Sequence, residues 1–322
     1  MNNDLIINLV FSIINRNSYL WKEKVIKYYV HSKLNEDVIN YALLRISKET
    51  CFIFKQTKNP RKALFLYQPG PFYETNLGKR REIPHRIFVP KGKEENLACI
   101  RYNYITINGY SIKRGFSKYF KKNLNRSANT YNIGYDYRSV MHFSENEYGI
   151  FGRRVITAKN KLMQNLMGKT QDLTFYDAKL VNKRYCRFPS QIHPPCHNYG
   201  YSHPKSPNCK CPPFADGIDC TGWIINNRYC TAVNHFYAKY ISNTVLLRSF
   251  YNTRHRRRIC KESRSVEIRY LSDLAASGIL FCPGDKPISI RSEEHLVIIQ
   301  SHFPPEQLKL KINYWRVPER KE

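Results

Sequence analysis

Apolar and polar residues follow an alternating, β-branched and aromatic pattern over residues 21–30 (WKEKVIKYYV), which predicts a strand. The period then changes. Over 35–48, Val38, Ile39, Ala42, Leu43 and Ile46 recur at three- and four-residue spacings and predict an amphipathic helix. Asn35 is its candidate N-cap, with Glu36 and Asp37 at the positive end. Short strands are expected over 50–54, 63–69 (ALFLYQP) and within 98–107 (YNYITI). The basic stretch 79–96 is interrupted by Pro84 and Pro90 and reads mostly as loop, as does the polar stretch 119–133. A second helix is expected over 172–186, with Thr174 as N-cap, Asp177 as the acidic N3 residue, and Leu173, Leu180 and Val181 facing a core. From Trp223 onward the pattern is β-like, at 266–271, 278–282, 295–303 and 308–317, which suggests a sandwich.

A chain of 322 residues with 42% hydrophobic content can hold two or three modules with at least one real core. Its longest apolar run, LIINLVFSII at 5–14, is about half the length of a spanning helix. That run reads equally as the apolar part of a secretory signal or as a truncated chain start, since the MNND before it has no Lys or Arg. Ten cysteines alter the picture more: Cys51 and Cys99 stand apart, and the others lie between Cys186 and Cys282. A Cys209-x-Cys211 pair without repeated C-x-x-C reads as a disulfide framework, which places the chain outside the cytosol. The net charge of +28 favours acidic partners, with clusters at 79–81 and 254–258. No helix-turn-helix, RNP or zinc-finger pattern accompanies it, so nucleic acid is not expected and a matrix or sulfated-glycan contact is the alternative to compositional drift. Asn125-Arg126-Ser127 is a glycosylation sequon.

Two segments carry a family resemblance. Tyr135-Asp136-Tyr137-Arg138-Ser139-Val140-Met141-His142-Phe143 resembles the Met-turn of astacins, usually YDYxSVMHY. Met167-Gly168-Lys169, then Leu173-Thr174, Asp177, Asn182, Tyr185 and Cys186, resembles the closing motif of that family. Residues 21–28, 42–54 and Asn103-Tyr104-Ile105-Thr106-Ile107-Asn108 are similar to its opening elements and its DNYVTIN segment. Beyond residue 186, the Cys196-His197-Asn198-Tyr199-Gly200-Tyr201 stretch with Cys209, Cys211 and Cys220 resembles an EGF-like module. The region with Cys230, Cys260, Val266 to Arg269 and Cys282 is similar to a divergent CUB sandwich. The resemblance implies an α+β truncated metzincin (astacin-like) domain at 20–186 after an N-terminal segment 1–19, an EGF-like module at 187–222 and an all-β CUB-like sandwich at 223–322. It also pairs Cys51 with Cys186.

The same resemblance exposes a loss. Metzincins hold zinc in H-E-x-x-H-x-x-G-x-x-H, and no such run exists in this sequence. Ala98-Cys99-Ile100 runs straight into Arg101-Tyr102-Asn103, so the zinc helix is expected to be absent near 100/101. The family's tyrosine after the Met-turn histidine is replaced by Phe143, which has no hydroxyl. His193 and His197 are the sole i, i+4 histidine pair, but Pro194 and Pro195 between them oppose a helix presenting both. The expectation is a secreted, astacin-like pseudoenzyme with no intact catalytic residue and no bound zinc, contacting an extracellular protein or matrix component and spanning no membrane. An active zinc endopeptidase of which this chain is an incomplete or spliced version is the first alternative. A basic matrix- or glycan-binding protein is the second.

Overall fold

The computed structural model describes residues 21–71, 74–75, 83–89, 104–120, 130–170, 172–186, 194–224, 242–249, 265–282, 287–294, 296–302 and 310–317. Segment 1–19, Cys99, the Ile100–Arg101 junction, Asn125, His193, Cys230 and Cys260 lie outside these residues. The chain divides into two compact units, Met1–Pro194 with Tyr201–Cys209, and Pro195–Gly200 with Lys210–Glu322.

The first unit is built on a mixed sheet. Strand β1 (Val25–Val30) buries Ile26, Tyr28 and Val30 on one side and turns Val25 and Lys27 to solvent, the period-two pattern of a half-buried strand. Helix α1 (Glu36–Glu49) follows, opened by the Asn35 side chain accepting from the Val38 amide. It buries Ile39, Ala42, Leu43 and Ile46. Strands β2 (Ile53–Gln56), β3 (Phe65–Pro69), β4 (Glu74–Thr75) and β5 (His85–Val89) complete a sheet of order β2-β1-β3-β5-β4, parallel except for β4. Strand β6 (Ile105–Ile107) pairs antiparallel with β7 (Ile156–Ala158), and helix α2 (Phe175–Tyr185) closes the domain. One core gathers Ile26, Leu43, Phe52, Ile87, Val140 and Val181, so strands, both helices and the 135–143 turn share it. Each such buried apolar side chain contributes about 1.5–3 kcal/mol.

Three expectations need correction here. Residues 79–96 are not mostly loop, because His85–Val89 is an inner strand paired to both β3 and β4. His85, Ile87 and Val89 point inward in alternation, and Pro84 precedes the strand without breaking it. The opening strand begins at Val25 instead of residue 21, and buried Trp21 packs edge-on against Phe65 and His85. The strand expected over 50–54 starts only at Ile53, since Thr50 caps α1 through its hydroxyl to the Ile46 carbonyl at 2.7 Å.

Helix α2 carries the residues of the closing motif, and each fastens the helix to something else. Thr174 and Asp177 form a reciprocal capping box. Asn182, fully buried, donates to the Glu49 carbonyl at 2.7 Å. The Tyr185 ring meets Phe52 edge-on at 5.4 Å. Cys186 is joined to Cys51 by a disulfide with Cα atoms 5.8 Å apart. Two short strands, β8 (Tyr201–Ser202) and β9 (Cys209–Lys210), come next along the chain.

In the second unit, Cys211 and Cys220 are disulfide-bonded beside the antiparallel pair β10 (Ala215–Asp216) and β11 (Gly222–Trp223). Cys196, Cys209 and Cys282 are also disulfide-bonded. Strands β12 (Ser242–Ser249), β13 (Val266–Arg269), β14 (Ile279–Phe281), β15 (Ile288–Arg291), β16 (Ile298–Ser301) and β17 (Leu310–Val317) form two three-stranded antiparallel sheets, β15-β12-β17 and β14-β13-β16. Strands β12 and β15 fall where no strand was expected. Buried Glu267 pairs with Arg269 at 2.9 Å, and the Arg269 guanidinium also donates to the Leu274 and Ala276 carbonyls. A buried ion pair survives in a core only when such hydrogen bonds satisfy it.

Candidate functional site

The candidate site is the turn 135–143, held by the core below it. Val140 points into the main core and Met141 packs half-buried against the same cluster. The turn is pinned by its own backbone, with Ser139 N donating to Asp136 O at 3.2 Å and His142 N to Ser139 O at 2.9 Å. Asp136 accepts the Arg138 amide at 3.0 Å.

Asp177 ties this turn to α2. One carboxylate oxygen receives the Ser139 hydroxyl at 2.5 Å. The other receives the Val140 amide and the Thr174 amide, each at 3.0 Å. The residue keeps some exposed surface, but its carboxylate is enclosed. Burial pushes its pKa up to about 6, reinforced by the nearby Asp136 and opposed by those three hydrogen bonds. Behind the turn runs Gly168, with a left-handed φ of 68°, and a Cβ built there would lie 2.4 Å from the Ser144 amide nitrogen. Only glycine fits that approach.

His142 is 3% exposed and both ring nitrogens are engaged. Nδ1 lies 2.7 Å from the Phe143 carbonyl, which can only accept, so Nδ1 carries the proton. Nε2 therefore accepts from the Tyr135 hydroxyl at 2.5 Å. Burial pushes the histidine down to about 4, against the pull of the Phe143 carbonyl. Tyr135 in turn stacks on Tyr104 with centroids 4.5 Å apart, and the Tyr137 hydroxyl donates to the Tyr104 carbonyl at 2.8 Å. Phe143 is 1% exposed and packs against Phe120 at 5.5 Å and Tyr148 at 5.7 Å.

Of the residues singled out from the sequence, the structure thus brings Met141, His142 and Phe143 together in one turn. It leaves His197 in an irregular stretch, its amide bonded to Asp219 O at 2.8 Å. Sequence reasoning took Asp177 as a cap alone and missed its grip on the turn. It also missed Tyr135 as the partner of His142. The Thr174-Asp177 spacing signalled the cap, but no local signal points across to Ser139.

A mixed sheet sharing its core with two helices, a buried Ser-Val-Met-His turn and a closing helix tied to that turn by an aspartate define a metzincin-like peptidase fold. Residues 94–186 match the family model of the astacin peptidases, and the chain belongs to the astacin family. Among relatives, it is 23% identical to "Zinc metalloproteinase nas-34" of Caenorhabditis elegans over 332 positions, covering 90% of this chain and 55% of that protein. It is 28% identical to nas-37 of the same nematode over 225 positions, covering 62% of this chain and 29% of the relative. Identity to nas-23 reaches 38% over 130 positions, covering 38% of this chain and 23% of that protein. The chain thus spans about half or less of the length of these relatives. High choriolytic enzyme 1, a hatching enzyme zinc-protease from Oryzias latipes, aligns with a TM-score of 0.46 at 22% identity, over 53% of this chain and 96% of that one.

The family is zinc-dependent, which makes the fit of zinc to these residues a question of donors. A zinc site needs three or four convergent His, Cys, Asp or Glu side chains. Among the described residues no group of three or more such side chains could hold a metal ion. His142 has no ring nitrogen left to give, because one is protonated toward a carbonyl and the other accepts a hydroxyl. Phe143 offers no oxygen. The residues of this turn do not fit zinc.

Proposed function

We propose that this chain is a secreted astacin-fold pseudopeptidase that acts by binding an extracellular protein or matrix component instead of cutting one. The observation that carries the reading is the closed His142–Phe143 corner: a histidine bonded on both sides and a buried phenyl ring stand where the family resemblance expects a tyrosine beside the metal. The full sequence adds support, since it contains no H-E-x-x-H run from which another ligand set could be drawn. On this reading 187–222 is an EGF-like module and 223–322 a CUB-like one, both serving contact. The Cys51–Cys186 and Cys211–Cys220 disulfides, and the lack of any helix among the described residues long and apolar enough to cross a membrane, agree with an extracellular chain.

Two measurements on the purified full chain test it. Metal analysis after dialysis is expected to find zinc well below one per chain, and a quenched fluorogenic peptide is expected to stay uncut. Stoichiometric zinc together with chelator-sensitive cleavage would establish an active endopeptidase and overturn the reading. Sequencing the transcript across the codons for Ile100 and Arg101 tests the gene product separately. An intervening segment encoding the zinc motif would make this chain an incomplete version of an active enzyme.

A further inference from the structure

The first unit carries a second distinctive surface, formed by two tight turns. Strands β6 and β7 pair through Ile107 and Ile156, extended by Asn108 N donating to Val155 O at 2.8 Å. A few residues further on, an isolated antiparallel bridge joins Ile112 to Gly149, and Lys113 N donates to Tyr148 O at 2.9 Å. Between these two fastenings the chain makes the 3₁₀ turns Gly109–Ser111 and Ile150–Gly152. Antiparallel pairing puts both turns on the same side of the bridge, inside one closed frame.

Each turn ends in an aromatic ring in solvent, Tyr110 at 98% exposure and Phe151 at 94%. Single exposed apolar residues are ordinary, but these two share a frame and one of them is strained. Phe151 has φ 50° and ψ 34°, the left-handed region, at a cost of about 1–2 kcal/mol for a bulky side chain, and its own packing returns nothing. The frame is firm. Tyr148 stacks between Phe116 at 4.6 Å and Tyr119 at 5.3 Å, and a Cβ on Gly149 would meet the Arg153 carbonyl oxygen at 2.1 Å. Lys113, Arg114, Arg153 and Lys159 are exposed around it, and neither 108–114 nor 149–159 contains an Asp or Glu.

We propose that these paired turns bind a sulfated polysaccharide, with Tyr110 and Phe151 lying on sugar faces and Lys113, Arg114 and Arg153 pairing with sulfates. Flat rings supply apolar contact to the C–H faces of pyranoses, and Lys and Arg supply charge-assisted hydrogen bonds to oxyanions. A lipid surface is the poorer match. Two rings set among Asn108, Ser111 and glycines give too little continuous apolar face to enter an acyl layer, and the strongly anionic leaflet is the cytoplasmic one. The inference rests on the extracellular part of the reading above, but not on the loss of catalysis.

The test titrates the full chain with a heparin hexasaccharide. Tyr110→Ser with Phe151→Ser should weaken binding about tenfold or more, the loss typical of removing aromatic anchors. Retention of that double variant on a sulfonate cation exchanger should stay unchanged, because its charge is unchanged. Lys113→Ser with Arg153→Ser should lower both the affinity and its salt dependence. Equal hexasaccharide affinity for wild type and the aromatic variant overturns the proposal, as does absence of hexasaccharide binding. Capture by phosphatidylserine vesicles that the hexasaccharide cannot displace, and that the aromatic variant loses, overturns it in favour of a membrane. The extracellular reading fails on its own terms if expressing cells keep the chain out of the medium, whatever its affinity in vitro.

Discussion

The Ser139 hydroxyl donates to the Asp177 carboxylate at 2.5 Å, across 38 residues of chain. Through that contact the first turn of α2 and the Met-turn become one structural piece. His142 sits at the far end of the same turn with the opposite electrostatic problem, a base that burial keeps neutral.

Their pH dependences should oppose one another. The Asp177 pKa rises from 3.8 to about 6 on folding, so the folded state holds a proton the unfolded state releases, and this contribution falls as pH rises from about 4 to about 6. The His142 pKa drops from 6.5 to about 4, so the unfolded state holds the extra proton, and this contribution rises with pH across nearly the same window. Each amounts to about 2–3 kcal/mol at most. Urea denaturation of Asp177→Asn should therefore show stability climbing more steeply with pH than wild type, and His142→Gln should show it falling. Parallel pH profiles for all three proteins would sink this account.

Restoring the family hydroxyl should do harm. Phe143→Tyr places a hydroxyl among the Phe120 and Tyr148 rings at a position only 1% exposed. A loss of about 1–3 kcal/mol is expected, without any rise in bound zinc. A variant that gains stoichiometric zinc would show that the corner is open after all.

Legibility in the sequence followed the range of each interaction. Helices α1 and α2 were readable because their signals are local, the 3.6-residue period and the Asn35 and Thr174 caps. Strand β5 was hidden because Pro84, Pro90 and the surrounding cations mask the short His85-Ile87-Val89 alternation that alone marks its buried face. The Met-turn was visible as a motif, but what holds it was not, since Ser139 and Asp177 meet only in three dimensions. Nothing in residues 108–114 or 149–154 says that Tyr110 and Phe151 remain in solvent, because apolar letters in a sequence ordinarily argue for the interior.

Removing the Cys51–Cys186 disulfide should destabilise the first unit strongly. The bridge closes a separation of 135 residues, which the chain-entropy account values at about 4–5 kcal/mol. Thermal unfolding of the Cys51→Ser, Cys186→Ser double variant should show the loss. A shift too small to separate from wild type would mean that the unfolded chain is already compact.

Gly168→Ala is expected to cost more than ~2 kcal/mol, because it adds a left-handed alanine to a steric conflict with the Ser144 backbone. Near-neutral behaviour in a denaturant titration would show that the 167–169 segment can move away from the turn.

The ties described for the Met-turn run backward and downward, to Asp177, Thr174 and the core around Val140. Its shape is thus underwritten by the rest of the domain and owes nothing to an ion in front of it. A lineage that sheds the metal helix can inherit this shelf intact, and selection is then free to reuse the surface while the chemistry lapses.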